Sequence, residues 1–154
     1  MVKDSRALRL TVWWIVLNTA FIRGNSMLSA SVSGAISQWV KDLIGLLFPS
    51  ALPGPSGHGL LRKLAHFTEF CLLGMGYARL FGMLLPGKCL SALLPLVCGG
   101  ATACLDETIQ YFVPGRFSSL RDVGIDTAGV VLGIVLLMVG QTILTHFRQK
   151  RLTN

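Results

Sequence analysis

VGIDTAGVVLGIVLLMVGQ, residues 123–141, is an apolar run of nineteen residues interrupted by one ionisable side chain, Asp126. About 20 apolar residues in a helix, at ~1.5 Å each, cross the ~30 Å hydrocarbon core of a bilayer. The run therefore reads as a membrane span. An acid at its start is costly there, and such groups usually face a bundle interior or a water-filled cavity and carry function. Three further stretches read the same way, over about residues 7–22, 64–85 and 90–113. The expected fold is an all-α integral membrane protein, one domain over 1–154, with four spans in a compact bundle.

Composition agrees. Hydrophobic residues make up 52% of the chain and charged residues only 14%, with a mean hydropathy of +0.62. Ordinary globular domains are about one quarter charged, and four spans leave no room here for a separate soluble domain. The net charge of +7 comes from 14 Lys and Arg against 7 Asp and Glu. The bases gather at segment ends, as in Lys3, Arg6 and Arg9 or Arg148, Lys150 and Arg151, and no basic face interleaves with aromatics. That speaks against nucleic acid and for membrane lipids with anionic headgroups as the partner. Cys71, Cys89, Cys98 and Cys104 show neither CxxC pairing nor histidine spacing and read as small apolar helix residues.

Between the spans the chain is legible too. The first segment has the look of a signal peptide, but its length and the Arg23 that follows favour a retained membrane helix. NSMLSASVSG (25–34) is polar and serine-rich. Ile36, Trp39, Val40, Leu43 and Leu47 then recur at helical spacing against Ser37, Gln38, Lys41 and Asp42, which predicts a short amphipathic helix in the membrane interface. PSALPGPSGHG (49–59) is loop. Pro86–Gly87 ends the second span and Pro114–Gly115 the third, which Pro95 is expected to bend. Four spans put both termini on one side. Eight bases there against six on the other make that side the cytoplasm, so the 24–63 and 114–121 connections are expected outside.

The ionisable residues fall in three clusters, and alternating spans bring all three to the same membrane face. His66 and Glu69 are three apart and share a helix face with Arg62, Leu73 and Gly76. A histidine–glutamate pair in low dielectric can act as general acid or base, or can lock a helix to its neighbours. Asp106 and Gln110 lie four apart, in line with Ala103 and Gly99, while Glu107 points about 100° away at this spacing. Asp122, Asp126, Gly129 and Gly133 share one face of the fourth segment, and the glycines form a GxxxG pair that permits close helix approach. PGRFSSLRD (114–122) sets Arg116 and Arg121 beside these acids, either as internal partners or as forks for an anionic ligand. His66, Glu69, Asp106 and Asp122 would suffice chemically as metal ligands. No HExxH or histidine-rich cluster supports a metal, and neither a metal nor another cofactor is expected. No GxSxG context marks a serine nucleophile.

These pieces together resemble the VanZ-like family of bacterial membrane proteins. RKLAHFTEF (62–70) looks like that family's histidine- and glutamate-bearing helix start, and DETIQYFVPGRFSSLRDVGIDTAG (106–129) is similar to its acid–Gln–PGR–Asp–Asp/Asn–Gly block. NSMLSASVSG resembles the polar serine segment after its first helix. The resemblance implies a compact multi-span protein of the cell membrane, with a link through the founding members to low-level teicoplanin resistance. It carries His66, Glu69, Asp106, Glu107, Gln110, Arg116, Asp122 and Asp126 over as motif residues. Arg23–Gly24 departs from the family pattern.

The functional expectation is an outward-facing polar pocket that binds, and can process, an anionic lipid-linked headgroup. Catalytic candidates are His66 with Glu69 as acid and base, and Asp106 and Asp122. Arg62, Lys63, Glu107, Gln110, Arg116, Arg121 and Asp126 are ligand-binding candidates. The rival is a non-catalytic accessory or lipid-translocating protein, in homo-oligomers, whose buried charges are structural.

Overall fold

A computed structural model describes residues 4–47, 57–85 and 87–153. Five helices follow in order: α1 (Ser5–Ser26), α2 (Ala30–Leu47), α3 (Gly57–Leu84), α4 (Lys88–Tyr111) and α5 (Leu120–Thr153). Among the described residues there is no strand. Each expected element is present, but the helices outrun the apolar stretches. α1 begins where Asp4 caps it, its carboxylate accepting from the amides of Arg6 and Ala7 at 3.0 and 3.3 Å. α5 continues ten residues and more past Gln141, where Arg148, Gln149, Lys150 and Arg151 are good helix formers although polar. α2 starts at Ala30, inside the polar, serine-rich segment and ahead of the amphipathic stretch that begins at Ile36. Most of the 49–59 loop lies outside the described residues, and its last part already belongs to α3. α4 runs through the buried Pro95 as a single helix.

α3 is the centre of the bundle: α1, α2, α4 and α5 all pack on it, most extensively α5. The α3–α5 approach is made by glycines. A Cβ on Gly129 would strike the Phe67 carbonyl, one on Gly133 the Cys71 carbonyl and the Met75 amide, and one on Gly74 the backbone of Val130. Gly99 of α4 accommodates the Val130 side chain in the same way. Around this contact Ile22, Phe70, Leu73, Ala78, Ala103, Val130 and Ile134 form the apolar core.

The surface inverts the pattern of a soluble protein. Eleven polar or charged residues are buried among those described, against eight apolar ones. Meanwhile Leu10, Trp13, Leu17 and Phe21 of α1 and Val135, Val139, Ile143 and Phe147 of α5 stand exposed, each near half or more of its surface. Exposed apolar area this continuous marks an interaction surface, and on long helices that surface suits lipid. On length and apolarity, two helices qualify as membrane spans, Cys89–Tyr111 and Leu120–Arg151. That is fewer than the four expected. Arg6, Arg9 and Arg23 on α1, and Arg62, Lys63, Glu69 and Arg79 on α3, lower the apolarity of the other two.

Candidate functional site

The C-terminal ends of α1 and α4 meet the N-terminal parts of α3 and α5, so residues from four helices converge at one end of the bundle. Five of the chain's seven acids collect there: Glu69, Asp106, Glu107, Asp122 and Asp126. All but Asp122 are buried, and Asp122 is half-buried. Each is held differently.

Asp106 has no exposed surface and is the most heavily bonded. Its Oδ1 lies 3.3 Å from Arg23 Nη1, and its Oδ2 accepts from Ser26 Oγ at 2.7 Å and from Gln110 Nε2 at 2.9 Å. Arg23 also donates to the Thr102 carbonyl at 3.3 Å, which fixes the fork against α4. Glu69 accepts from Asn25 Nδ2 at 3.0 Å. His66 is not paired with Glu69, its neighbour in sequence. Its Nδ1 faces Asp106 Oδ2 across 3.9 Å, too far for a hydrogen bond. The histidine's nearest acid thus comes from α4.

Glu107, turned away from Asp106, accepts from the Ser119 amide at 2.8 Å and so holds the residue before the first turn of α5. Lys63 Nζ lies 3.3 Å from Asp122 Oδ1 and ties α3 to α5 at the surface. Asp126 is 2% exposed, and its Oδ2 has no hydrogen-bond partner. Nor do the buried His66 Nδ1 and Glu69 Oε2.

Arg116 sits beyond a tight turn. Its amide donates to the Val113 carbonyl at 3.1 Å, with Pro114 and Gly115 between and Gly115 at φ +75°, the left-handed conformation a type II turn needs at that place. The turn folds the side chain under the bundle, where it is 6% exposed. Nε donates to the Leu28 carbonyl at 3.1 Å, Nη2 to the Asn25 carbonyl at 2.9 Å and Nη1 to Gln110 Oε1 at 3.4 Å. Its partners are therefore carbonyl oxygens of the α1–α2 junction rather than the acids considered for it from sequence. Burial lowers its pKa from the ordinary value and Arg62 adds to this, while Asp106 and Glu107 oppose it. Arg121 is exposed and, among the described residues, is in no ion pair with the acids.

A small pocket opens among Arg62, Lys63, His66, Gln110, Asp122 and Asp126, with Glu107 and Ile125 completing its wall. Its free volume is about 10 Å³, space for about one water-sized particle. Of the candidates raised from sequence, Arg62, Lys63, His66, Glu107, Gln110, Asp122 and Asp126 line this pocket, Asp106 and Arg116 bond to Gln110 of its wall, and Glu69 and Arg121 do not line it. Three contributors were missed: Arg23, Asn25 and Ser26, all on the last turns of α1. The polar NS pair after the apolar run, and the unusual Arg23, were the only signals for them.

A helical bundle with an apolar exterior and a buried, charged centre at one end is the arrangement of a polytopic membrane protein. The chain matches the VanZ/LLP1 family over residues 8–143 and belongs to that family. The search of curated proteins found no match. None was found among solved structures.

Proposed function

We propose that this VanZ/LLP1 protein binds an anionic, phosphate-bearing lipid headgroup at the mouth of the His66–Asp126 pocket. The observation that carries the reading is the pair Arg62 and Lys63 on the rim of a pocket whose floor is otherwise acidic and histidine-bearing. Arg62 has no acid within ion-pair distance among the described residues. Lys63 is shared with Asp122 and is more than a third exposed, so a phosphate can compete for it. A guanidinium and an ammonium side by side suit a phosphate monoester or diester. The interior is too small for a headgroup, which therefore docks over the opening with its oxygens on the rim.

In this reading α1 and α3 also cross the membrane, their few charges turned to the bundle interior or the helix ends, and both termini are cytoplasmic. α2 lies in the interface with Ile36, Trp39, Leu43 and Leu46, all exposed, towards lipid. His66 is the group placed to move a proton if the headgroup is processed as well as held. The family link to glycopeptide resistance would then act through an envelope lipid.

Retention of phosphatidylglycerol against phosphatidylcholine by the detergent-purified protein, read by native mass spectrometry, tests the proposal. The wild type should keep the anionic lipid selectively, and the Arg62→Gln/Lys63→Gln double variant should lose that preference. Equal retention of phosphatidylglycerol by the folded double variant would sink it.

A further inference from the structure

His66 of α3, Asp106 of α4 and Asp126 of α5 meet at one buried point. One ligand atom from each, an imidazole nitrogen and two carboxylate oxygens, lie within 4.8 Å of one another. None of the three residues is more than 7% exposed. Two of their polar atoms, His66 Nδ1 and Asp126 Oδ2, are buried with no hydrogen-bond partner. Such orphans are rare in folded proteins, and two in one cluster call for a shared partner.

The charge distribution says which sign that partner has. Arg23 stands against Asp106 and Lys63 against Asp122. Among the described residues no cation lies within ion-pair distance of Asp126. A buried carboxylate without a counter-charge is strongly disfavoured and either takes a proton or finds a cation, and a partner shared with the orphaned His66 Nδ1 points to the cation. It is also small, since the adjoining pocket has room for about one water-sized particle.

We infer that His66, Asp106 and Asp126 form a binding site for a single divalent transition-metal ion of the zinc or manganese kind. One imidazole with two carboxylates favours such ions over the all-oxygen preference of calcium or magnesium. Asp106 retains capacity for it: Arg23, Ser26 and Gln110 take three of the about four lone-pair positions of its carboxylate. Those same bonds would orient it, as outer-shell partners of metal ligands do. Ligand atoms around an ion at about 2.1 Å sit about 3.4 Å apart in a tetrahedron, so the three side chains need close by only about an ångström. The pocket side of the ion stays open to water or to an oxygen ligand. This site stands independently of the headgroup reading, because the ion is held by the protein alone.

The test uses untagged, chelator-stripped full-length protein in detergent, titrated with ZnCl₂ or MnCl₂ and no lipid added. The wild type should bind one ion per chain and unfold at a higher temperature with it. His66→Gln and Asp126→Asn should each lose that binding, whereas Asp122→Asn should keep it. Ser26→Ala, which removes the bond orienting Asp106 and a longer one from Gln110 but no ligand, should weaken it by about 10- to 100-fold. Absence of stoichiometric binding by folded wild type would overturn the site, as would unchanged binding in His66→Gln and Asp126→Asn. Where those variants do not fold, X-ray absorption on the zinc-loaded wild type decides. One imidazole with oxygen neighbours supports the assignment, and sulfur neighbours, which place the ion on the cysteines, refute it. Failure of the lipid experiment leaves each of these readouts unaffected.

Discussion

Arg23 at the end of α1 reaches the fully buried Asp106 of α4, with Nη1 3.3 Å from Oδ1 and Nη2 on the Thr102 carbonyl. The position that departs from the family pattern is thus the one that neutralises the most buried acid in the molecule. Removing one member of a buried ion pair leaves the other uncompensated and costs about 3–5 kcal/mol. Arg23→Ala should therefore lower the thermal unfolding temperature in detergent sharply. Pairing it with Asp106→Asn should restore much of the loss, since no charge is then stranded. Arg23→Ala unfolding like the wild type would show that water, not Arg23, serves Asp106.

The glycines at the α3–α5 crossing make a second prediction. A methyl group at Gly133 would meet the Cys71 carbonyl and the Met75 amide at 2.9 Å, atoms of a helix backbone that cannot swing aside. Gly133→Ala and Gly129→Ala should each destabilise by about 1–3 kcal/mol or more through overpacking. Gly140→Ala, with nothing within 4 Å, should be neutral or slightly stabilising. Thermal unfolding of the three variants side by side checks the ordering.

Helical spacing made one part of this site readable and left another part hidden. Gly129 and Gly133, in phase with Asp126, marked the buried face of α5, and Asp106 with Gln110 marked that of α4 before any contact was known. Each inference concerned one helix, where 3.6 residues per turn settles who shares a face. Partners across helices are set by the rotation and height of each helix, which periodicity does not report. His66 therefore seemed Glu69's partner, whereas α4 supplies Asp106 and α1 supplies Asn25 to Glu69. For the same reason spacing within single helices could not report that His66, Asp106 and Asp126 assemble from three. Two helices rather than four pass on apolarity because α1 and α3 carry charges among their apolar residues, and a bundle that turns charge inward weakens the signal on which span counting rests.

Orientation is open to direct measurement. Phe117 lies in the connection after α4 and is 85% exposed. With both termini cytoplasmic, this connection faces outward. A membrane-impermeant maleimide added to intact cells should label Phe117→Cys in a background where the four native cysteines are serine or alanine. A cysteine at Arg148, near the end of α5, should react only after the membrane is opened. The opposite pattern would invert the topology and place the pocket on the cytoplasmic side.

Arg116 separates packing from ligand binding at a single side chain. All three of its nitrogens donate within the protein, to the Leu28 and Asn25 carbonyls and to Gln110. The guanidinium ties the start of α2 and the end of α1 to the loop before α5. Arg116→Ala should leave two part-buried backbone carbonyls without that donor, at about 1 kcal/mol each. Arg116→Lys should recover only part of the loss, because a point ammonium cannot meet acceptors spread around a planar fork. Both variants should thus unfold at lower temperature than the wild type. Below that temperature each should retain phosphatidylglycerol as the wild type does, since Arg62 and Lys63 remain on the rim. Loss of the anionic lipid from a well-folded Arg116→Lys protein with unchanged stability would reverse the assignment and make Arg116 a phosphate ligand.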